Sequence, residues 1–149
     1  MIESFNSKQV MMNRDILEKM LKYSYEAGSD ISLPLSFYDE KILGLCKYLD
    51  EGKAFYFVAK DEDNIAGFLW ACELNKNSRR MIHILYIAVL EEYQKKGYGN
   101  QLIEKVENLA RELGIDILEL NVRATNPAIL FYKKHSFCEE HITMTKSLV

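Results

Sequence analysis

Proline is scarce in this chain, two in 149 residues. With no low-complexity tract and no internal repeat either, the sequence offers no linker at which to divide it, and a single domain over 1–149 is expected. Cysteine is scarce as well. Cys46, Cys72 and Cys138 are widely spaced, odd in number and free of any C-x-x-C pairing, which argues against a disulfide framework or a zinc site. They read as small core or surface residues. Long apolar runs are missing: the longest, Ile65 to Cys72, spans eight residues with its glycine, against about 20 for a membrane helix. The opening MIESFNSKQV lacks the basic start, apolar stretch and small-residue cleavage site of an export signal. No membrane partner and a cytoplasmic location are expected. Neither sign of charge dominates. The 19 Lys+Arg and 22 Asp+Glu give a net charge of -3, and the cations fall in short pairs, Arg79-Arg80, Lys95-Lys96 and Lys133-Lys134, so no nucleic-acid partner is expected. What the chain does have is apolar material. At 48% hydrophobic residues, a chain of this length can build a core without metal or disulfide staples.

Asn13 stands as an N-cap before Ile16, Leu17, Met20, Leu21 and Ser24, whose helical spacing runs to Gly28. After Pro34, the pair Ser36 and Asp39 has the spacing of a capping box with Asp in place of Glu. Ile42, Leu45, Cys46 and Leu49 then continue one helical face to Gly52. From Ala54 the period changes. AFYFVAK, IAGFLWACEL and MIHILYIAVL, separated by turn-forming Asp61–Asn64 and Asn75–Ser78, read as three antiparallel strands joined by hairpins. The third is almost continuously apolar, which predicts a central strand covered on both faces. Leu102, Ile103, Val106, Leu109, Ala110 and Leu113 define a helix stopped by Gly114. The strand IDILELNV follows it, and strand, helix and strand in succession predict a parallel pair. A short helix from Asn126 or Pro127 to Lys134, and closing strands around Phe137–Glu140 and Ile142–Ser147, complete an α+β layout.

Between the third strand and the long helix lies Gln94-Lys95-Lys96-Gly97-Tyr98-Gly99-Asn100. Two glycines let backbone N–H groups converge, and the helix behind them adds the positive end of its dipole, an anion cradle suited to a pyrophosphate. Lys95 and Lys96 add charge beside it. A P-loop would need G-x-x-x-x-G-K-[ST], which does not occur. A dinucleotide fingerprint would need a third glycine where Leu102 stands, and Leu90–Lys96 separate strand from glycine, although Glu119 sits at a suitable distance beyond Gly99. On these residues alone, an ordinary strand-to-helix turn is an equal alternative.

The stretch LYIAVLEEYQKKGYGNQLIEKV, followed by LELNVRATNPAILFYKKHSF, resembles the GNAT superfamily of acyl-coenzyme-A-dependent N-acetyltransferases over roughly residues 54 to 148. Gln94, Gly97 and Gly99 match its [QR]-x-x-G-x-[GA] signature. Asn126, Ala128, Tyr132 and Phe137 match its N-x-x-A-x-x-x-Y-x-x-x-G-F segment loosely: one residue is missing after Asn126, and Ser136 replaces the usual glycine. The resemblance implies a mixed, mainly antiparallel sheet with a parallel, splayed central strand pair and helices on both faces. It implies acetyl-coenzyme A as acyl donor, with no metal. Ile87, Ala88 and Val89 would offer backbone groups to the pantetheine arm in the manner of an added strand. Gln94, Lys95, Lys96, Gly97, Tyr98, Gly99 and Asn100 would hold the pyrophosphate, and Asn126 would also contact the donor.

The resemblance makes Tyr132 the acid that protonates the departing sulfur; the alternative is a tyrosine packing a helix end. For the base, His83 lies on the third strand where histone-type members carry a glutamate, and an imidazole titrates near neutrality. A half-buried strand histidine is the blander account. Members acting on peptide N-termini carry a glutamate where this chain has Asn121, which cannot accept a proton. Glu119 shares that face two residues earlier, where a relay through water is one reading and a surface strand glutamate the blander one. A base is not always needed: deprotonating a lysine-like amine costs about 4–5 kcal/mol at pH 7, an N-terminal amine only about 1.

The leading expectation is therefore transfer of an acetyl group to a primary amine, small-molecule or peptide, by direct attack in a ternary complex. The alternative is a non-catalytic acyl-coenzyme-A sensor of the same fold. In this family the first two helices and their loop help to build the acceptor site. Here Tyr23, Tyr25, Asp30, Phe37, Tyr38 and Asp39 suit a cationic amine, and helix cores and caps account for them equally well. Many members dimerise through late strands or sheet edges, so a homodimer is compatible with the resemblance.

Overall fold

Residues 1–27 and 30–149 are described by a computed structural model. The order of elements is β1 (Ile2–Ser4), α1 (Ser7–Met12), α2 (Arg14–Glu26), α3 (Leu35–Asp50), β2 (Ala54–Asp61), β3 (Asn64–Lys76), β4 (Arg79–Val89), a 3₁₀ turn (Glu91–Tyr93), α4 (Tyr98–Glu112), β5 (Leu118–Leu120) and α5 (Ala128–Lys134). The hairpins are tighter than the turn residues suggested. Asn77 and Ser78 both take positive φ, 53° and 63°, and Lys76 pairs with Arg79, so two residues close the β3–β4 turn.

The sheet order is β1-β2-β3-β4-β5. β4 and β5 are parallel, and the other neighbours are antiparallel. The expected fold class is the observed one. β4, however, is not the central strand. β3 is, and its Ala66, Phe68, Leu69, Trp70 and Ala71 are buried. β4 lies one strand from the edge, and from Leu85 onward its residues are exposed or half-buried. The continuous apolar run MIHILYIAVL comes from a strand that is covered on both faces along its first half only.

Helices cover both faces of the sheet. On one face Leu17, Met20, Leu21, Tyr38, Ile42 and Leu45 from α2 and α3 pack on Tyr56, Phe68 and Trp70. On the other, Leu102, Ile103, Val106 and Ala110 of α4 pack on Phe57, Leu69, Ile82 and Ile84. Each fully buried Leu, Ile or Phe contributes about 1.5–3 kcal/mol relative to exposure, so the i, i+3, i+4 stripes fix the layering.

Several local expectations change. Asn13 precedes α2 but does not cap it with its side chain; Nδ2 donates instead to Gln9 O at 2.8 Å. The capping box that does form belongs to α1. Asn6 Oδ1 accepts from Gln9 N and Gln9 Oε1 accepts from Asn6 N, each at 2.9 Å. The Ser36/Asp39 box does not form, because α3 begins two residues earlier, at Leu35, with Pro34 at its N-cap. Gly28 lies outside the described residues. The two closing strands are likewise not seen: among the described residues no strand follows β5, and Ile142, Met144 and Leu148 are exposed. The alternation Ile142, Met144 suits a strand, but β5 offers only Leu118–Leu120 as an edge, too little to template two more. No described helix is long and apolar enough to cross a membrane.

Candidate functional site

The site begins with one extra residue. Trp70 pairs with Tyr86 and Ala71 with Ile84, which leaves Leu85 as a bulge in β4. Before it, Ile82 and Ile84 pack toward α4. After it, Ile87 and Val89 do so, while Tyr86 and Ala88 face the other helical layer. Pairing with β5 ends at the same place, at Ile84↔Leu120. β4 and β5 therefore part at the bulge, and a cavity of about 990 Å³ is lined by residues from both sides of the gap, among them Ile87, Ala88, Val89, Asn121 and Val122.

Ladder alternation decides which backbone groups face that gap. Ile82 N–H donates to Ile117 O at 3.0 Å on the β5 side, and Leu90 N–H donates to Ala66 O at 2.8 Å on the β3 side. Successive residues of an antiparallel strand point their polar groups to opposite edges. Ala88 thus turns toward β3, whereas Ile87 and Val89 turn N–H and C=O toward the gap. Gln94 Nε2 donates to Val89 O at 3.0 Å, closing that carbonyl from the loop side. What remains open is the backbone of Ile87 and the Val89 N–H.

The glycine loop forms one end of the cavity. Gly97, at φ 90°, ends the turn in a conformation that L side chains rarely adopt, and Lys95 takes φ 62°. Gln101 N–H makes the first helical bond, to Gly97 O at 3.0 Å, and no side chain caps the helix. The N–H groups of Tyr98, Gly99 and Asn100 are left for another acceptor. A Cβ on Gly99 would meet the Phe131 ring at 3.2 Å, so this glycine lets α5 close on α4. Asn100 Oδ1 and His135 Nε2 join the same two helices at 2.8 Å. Gln94, Lys95, Gly97, Tyr98, Gly99, Asn100 and Asn126 all line the cavity. Asn126 Oδ1 accepts from Ala128 N at 2.9 Å, shaping the start of α5. Lys96 does not line it. Its Nζ lies 4.0 Å from Asp61 Oδ2 and 5.6 Å from the Tyr93 ring centroid, outside the cradle.

Tyr132 lines the cavity from α5. Its ring meets Phe131 and Phe137 at 5.6 and 5.9 Å, and burial pushes its phenol above the ordinary tyrosine range. At neutral pH it holds its proton. His83 is elsewhere. Its Nδ1 lies 2.7 Å from Glu119 Oε1, which Lys76 Nζ also reaches at 2.8 Å, and neither His83 nor Glu119 lines the cavity. Their register, His83↔Glu119, places this cluster beside the last paired residues before the strands part. Hydrogen bonds from Lys76, then from His83, hold the Glu119 carboxyl below its usual range. Among the described lining residues there is no Asp, Glu or His.

Of the acceptor candidates, Tyr23 and Tyr25 line the cavity. Tyr38 is buried in the helical core, Asp39 is paired with Arg14, and Asp30 and Phe37 are not at the wall. Leu85, Tyr86, Tyr93, Arg123 and Lys134 join the wall without having been singled out from sequence. Tyr86 was hidden in an apolar run, where only the bulge reveals which way it faces. Burial, then the nearby Tyr25, raises its pKa. Among the described residues no group of His, Cys, Asp or Glu is arranged to hold a metal ion.

Residues 14–137 match the sequence profile of the Acetyltransferase (GNAT) family. The chain belongs to that family. Curated relatives include an N-alpha-acetyltransferase of Sulfurisphaera tokodaii, 31% identical over 103 residues that make up 62% of each chain. Another is the uncharacterized N-acetyltransferase YycN of Bacillus subtilis, 32% identical over 89 residues, 59% of this chain and 57% of the relative. The chain thus spans about six-tenths of the length of the curated relatives it matches. Solved structures with the same fold include a possible acetyltransferase from Clostridium difficile 630, with TM-score 0.80, 20% identity, and coverage of 100% of this chain and 97% of that one. An aminoglycoside acetyltransferase from an uncultured soil metagenomic sample, in complex with sisomicin, gives TM-score 0.74, 19% identity, and coverage of 100% and 96%. The parting of β4 from β5 and the glycine loop therefore belong to a GNAT acetyltransferase fold.

Proposed function

We propose that this GNAT protein transfers the acetyl group of acetyl-coenzyme A to a primary amine by direct attack in a ternary complex. The observation that carries the reading is the cavity of about 990 Å³ set in the β4–β5 gap, with free strand backbone along one side, the uncapped start of α4 at one end and Tyr132 in the wall. These groups fit a long, phosphorylated thioester. Ile87 and Val89 would take the pantetheine amides as an added strand takes its neighbour, and the N–H groups of residues 98–100, with Lys95, would take the pyrophosphate. The donor supplies an acyl carbon open to attack and a sulfur leaving group. Tyr132, held protonated by burial, supplies the proton to that sulfur, and the attacking amine must arrive unprotonated.

His83 then serves as a positioning group beside the gap, tied to Glu119, rather than as a base within it. Coenzyme A is expected to raise Tm in a concentration-dependent manner, and acetyl-coenzyme A with an amine panel is expected to release thiol. A chain that binds no coenzyme A at millimolar concentration contradicts the reading. One observation favours a second reading, a sensor that binds without turnover: no described lining residue is a carboxylate or imidazole base. Thiol release with any amine excludes it.

A further inference from the structure

The cavity wall is unexpectedly one-signed. Its described lining residues carry no carboxylate, and the charged ones are Lys95, Arg123 and Lys134. Lys95 belongs to the glycine loop and Lys134 to the end of α5. Arg123 stands apart from both, on the segment that continues β5. β5 ends at Leu120, and both Asn121 and Arg123 reach the cavity wall just beyond it. Tyr23 and Tyr25 of α2, and Tyr86 of β4, line the same cavity, with the Tyr25 and Tyr86 rings 6.3 Å apart. The Arg123 guanidinium is exposed, and among the described residues it makes no ion pair or side-chain hydrogen bond.

A polycationic amine gains nothing from such a wall. It would meet the Arg123 guanidinium and, among the described lining residues, no compensating carboxylate. A free guanidinium in the wall of a cavity also lined by tyrosines instead fits a carboxylate, which it binds through paired N–H donors. The missing base adds a second, independent constraint. Without a carboxylate or imidazole in the cavity, an amine that is already partly neutral near pH 7 is favoured over a lysine-like one.

Resting on the acetyltransferase reading, we infer that the acceptor is an α-amine of an anionic molecule, with its carboxylate read by Arg123 and its body lying against Tyr23, Tyr25 and Tyr86. Such a group is found on a peptide with acidic residues next to its N-terminus; a free amino acid offers the same carboxylate with a more basic amine. The reaction balances without another reactant: the amine nitrogen bonds to the acetyl carbon, the carbon–sulfur bond breaks, Tyr132 gives its proton to the departing sulfur, and the proton lost by the nitrogen passes to solvent, from which Tyr132 is reprotonated.

The test uses thiol release from acetyl-coenzyme A with matched acceptors. Phenylalanine is compared with phenethylamine, and the peptide Ser-Glu-Glu with Ser-Lys-Lys, with spermidine and kanamycin alongside. In at least one matched pair, the anionic member is expected to have a kcat/KM tenfold or more above its partner, and the pair that responds identifies the source. Spermidine and kanamycin are expected below both. Arg123→Ala should collapse the ratio within the responding pair through KM, Arg123→Lys should restore part of it, and KM for acetyl-coenzyme A should move less than twofold. Three results overturn the inference: a preference for the polyamines, an unchanged ratio in Arg123→Ala, or an Arg123→Ala effect confined to KM for acetyl-coenzyme A. Turnover with a preference for cations, or coenzyme A binding without turnover of any of these amines, overturns this inference while leaving donor binding standing. Absence of coenzyme A binding overturns the acetyltransferase reading itself.

Discussion

Strand β4 has two unlike borders. On the β3 side it makes ten pairs, from Lys76↔Arg79 to Gly67↔Val89, interrupted by the Leu85 bulge, and so close that a Cβ on Gly67 would meet Ala88 O at 2.7 Å. On the β5 side it holds three pairs and then opens. The closed border is lined above and below by buried Phe68, Leu69, Trp70 and Ala71; the open one is bordered by half-exposed residues, free amides and a cavity. The difference shows how one apolar strand serves two purposes. Its paired edge anchors it in the sheet, and that anchoring lets the other edge remain unsatisfied and available to a ligand.

The comparison is broken most strongly from the closed side. Phe68→Ala removes a fully buried ring stacked at 5.5 Å on Tyr56, and it is expected to lower the unfolding free energy by about 3–5 kcal/mol in a urea titration. Ile87→Ala at the open border should cost markedly less in the same titration. Equal losses would mean that the gap is as tightly built as the ladder. On the open side the expected effect is on rate. Tyr132→Phe should reduce thiol release by about 10²–10⁴-fold while leaving the coenzyme A shift in Tm in place. Unchanged turnover would remove Tyr132 from the acid role.

The smallest effect concerns the last tie before the strands part. Glu119 has its folded pKa depressed by Lys76 and His83. Its contribution to stability is therefore complete above the usual carboxylate range and is lost as pH falls through the folded value. The stability difference between wild type and Glu119→Gln should be constant from pH 7 to about 5 and shrink below the unfolded value of about 4.3, followed by urea midpoints. Because Glu119 is partly exposed, the whole effect should stay within about 1 kcal/mol. A difference that grows on acidification would reverse the assigned sign.

Much of this was legible in the residues. The stripe Leu102, Ile103, Val106 and Ala110 gave the long helix, turn residues separated three strands, and Gly97 and Gly99 marked the loop whose N–H groups remain open. What could not be read was set by tertiary context. Nothing in MIHILYIAVL marks Leu85 as a bulge, since every neighbour is apolar on both phases, yet that residue decides that Tyr86 faces the acceptor side and Ile87 the gap. His83 matched a catalytic position by count along the chain, and the cross-strand contact with Glu119 beside the gap could not be read from that count. Ser36 and Asp39 had capping spacing, and Pro34 took the cap two residues earlier because its fixed φ of −66° suits that place. Asn6 and Gln9 held the box that forms, in the Asn/Gln form of the motif.

The proposed seat of coenzyme A is the β4 edge beyond Leu85. Amide hydrogen exchange followed residue by residue tests it most directly. With saturating coenzyme A, the amides of Ile87 and Val89 should exchange at least about tenfold more slowly, as expected for newly formed backbone hydrogen bonds, while Ala88, already turned to β3, stays as it was. Protection absent from Ile87 and Val89, or spread equally over all three, would contradict the account.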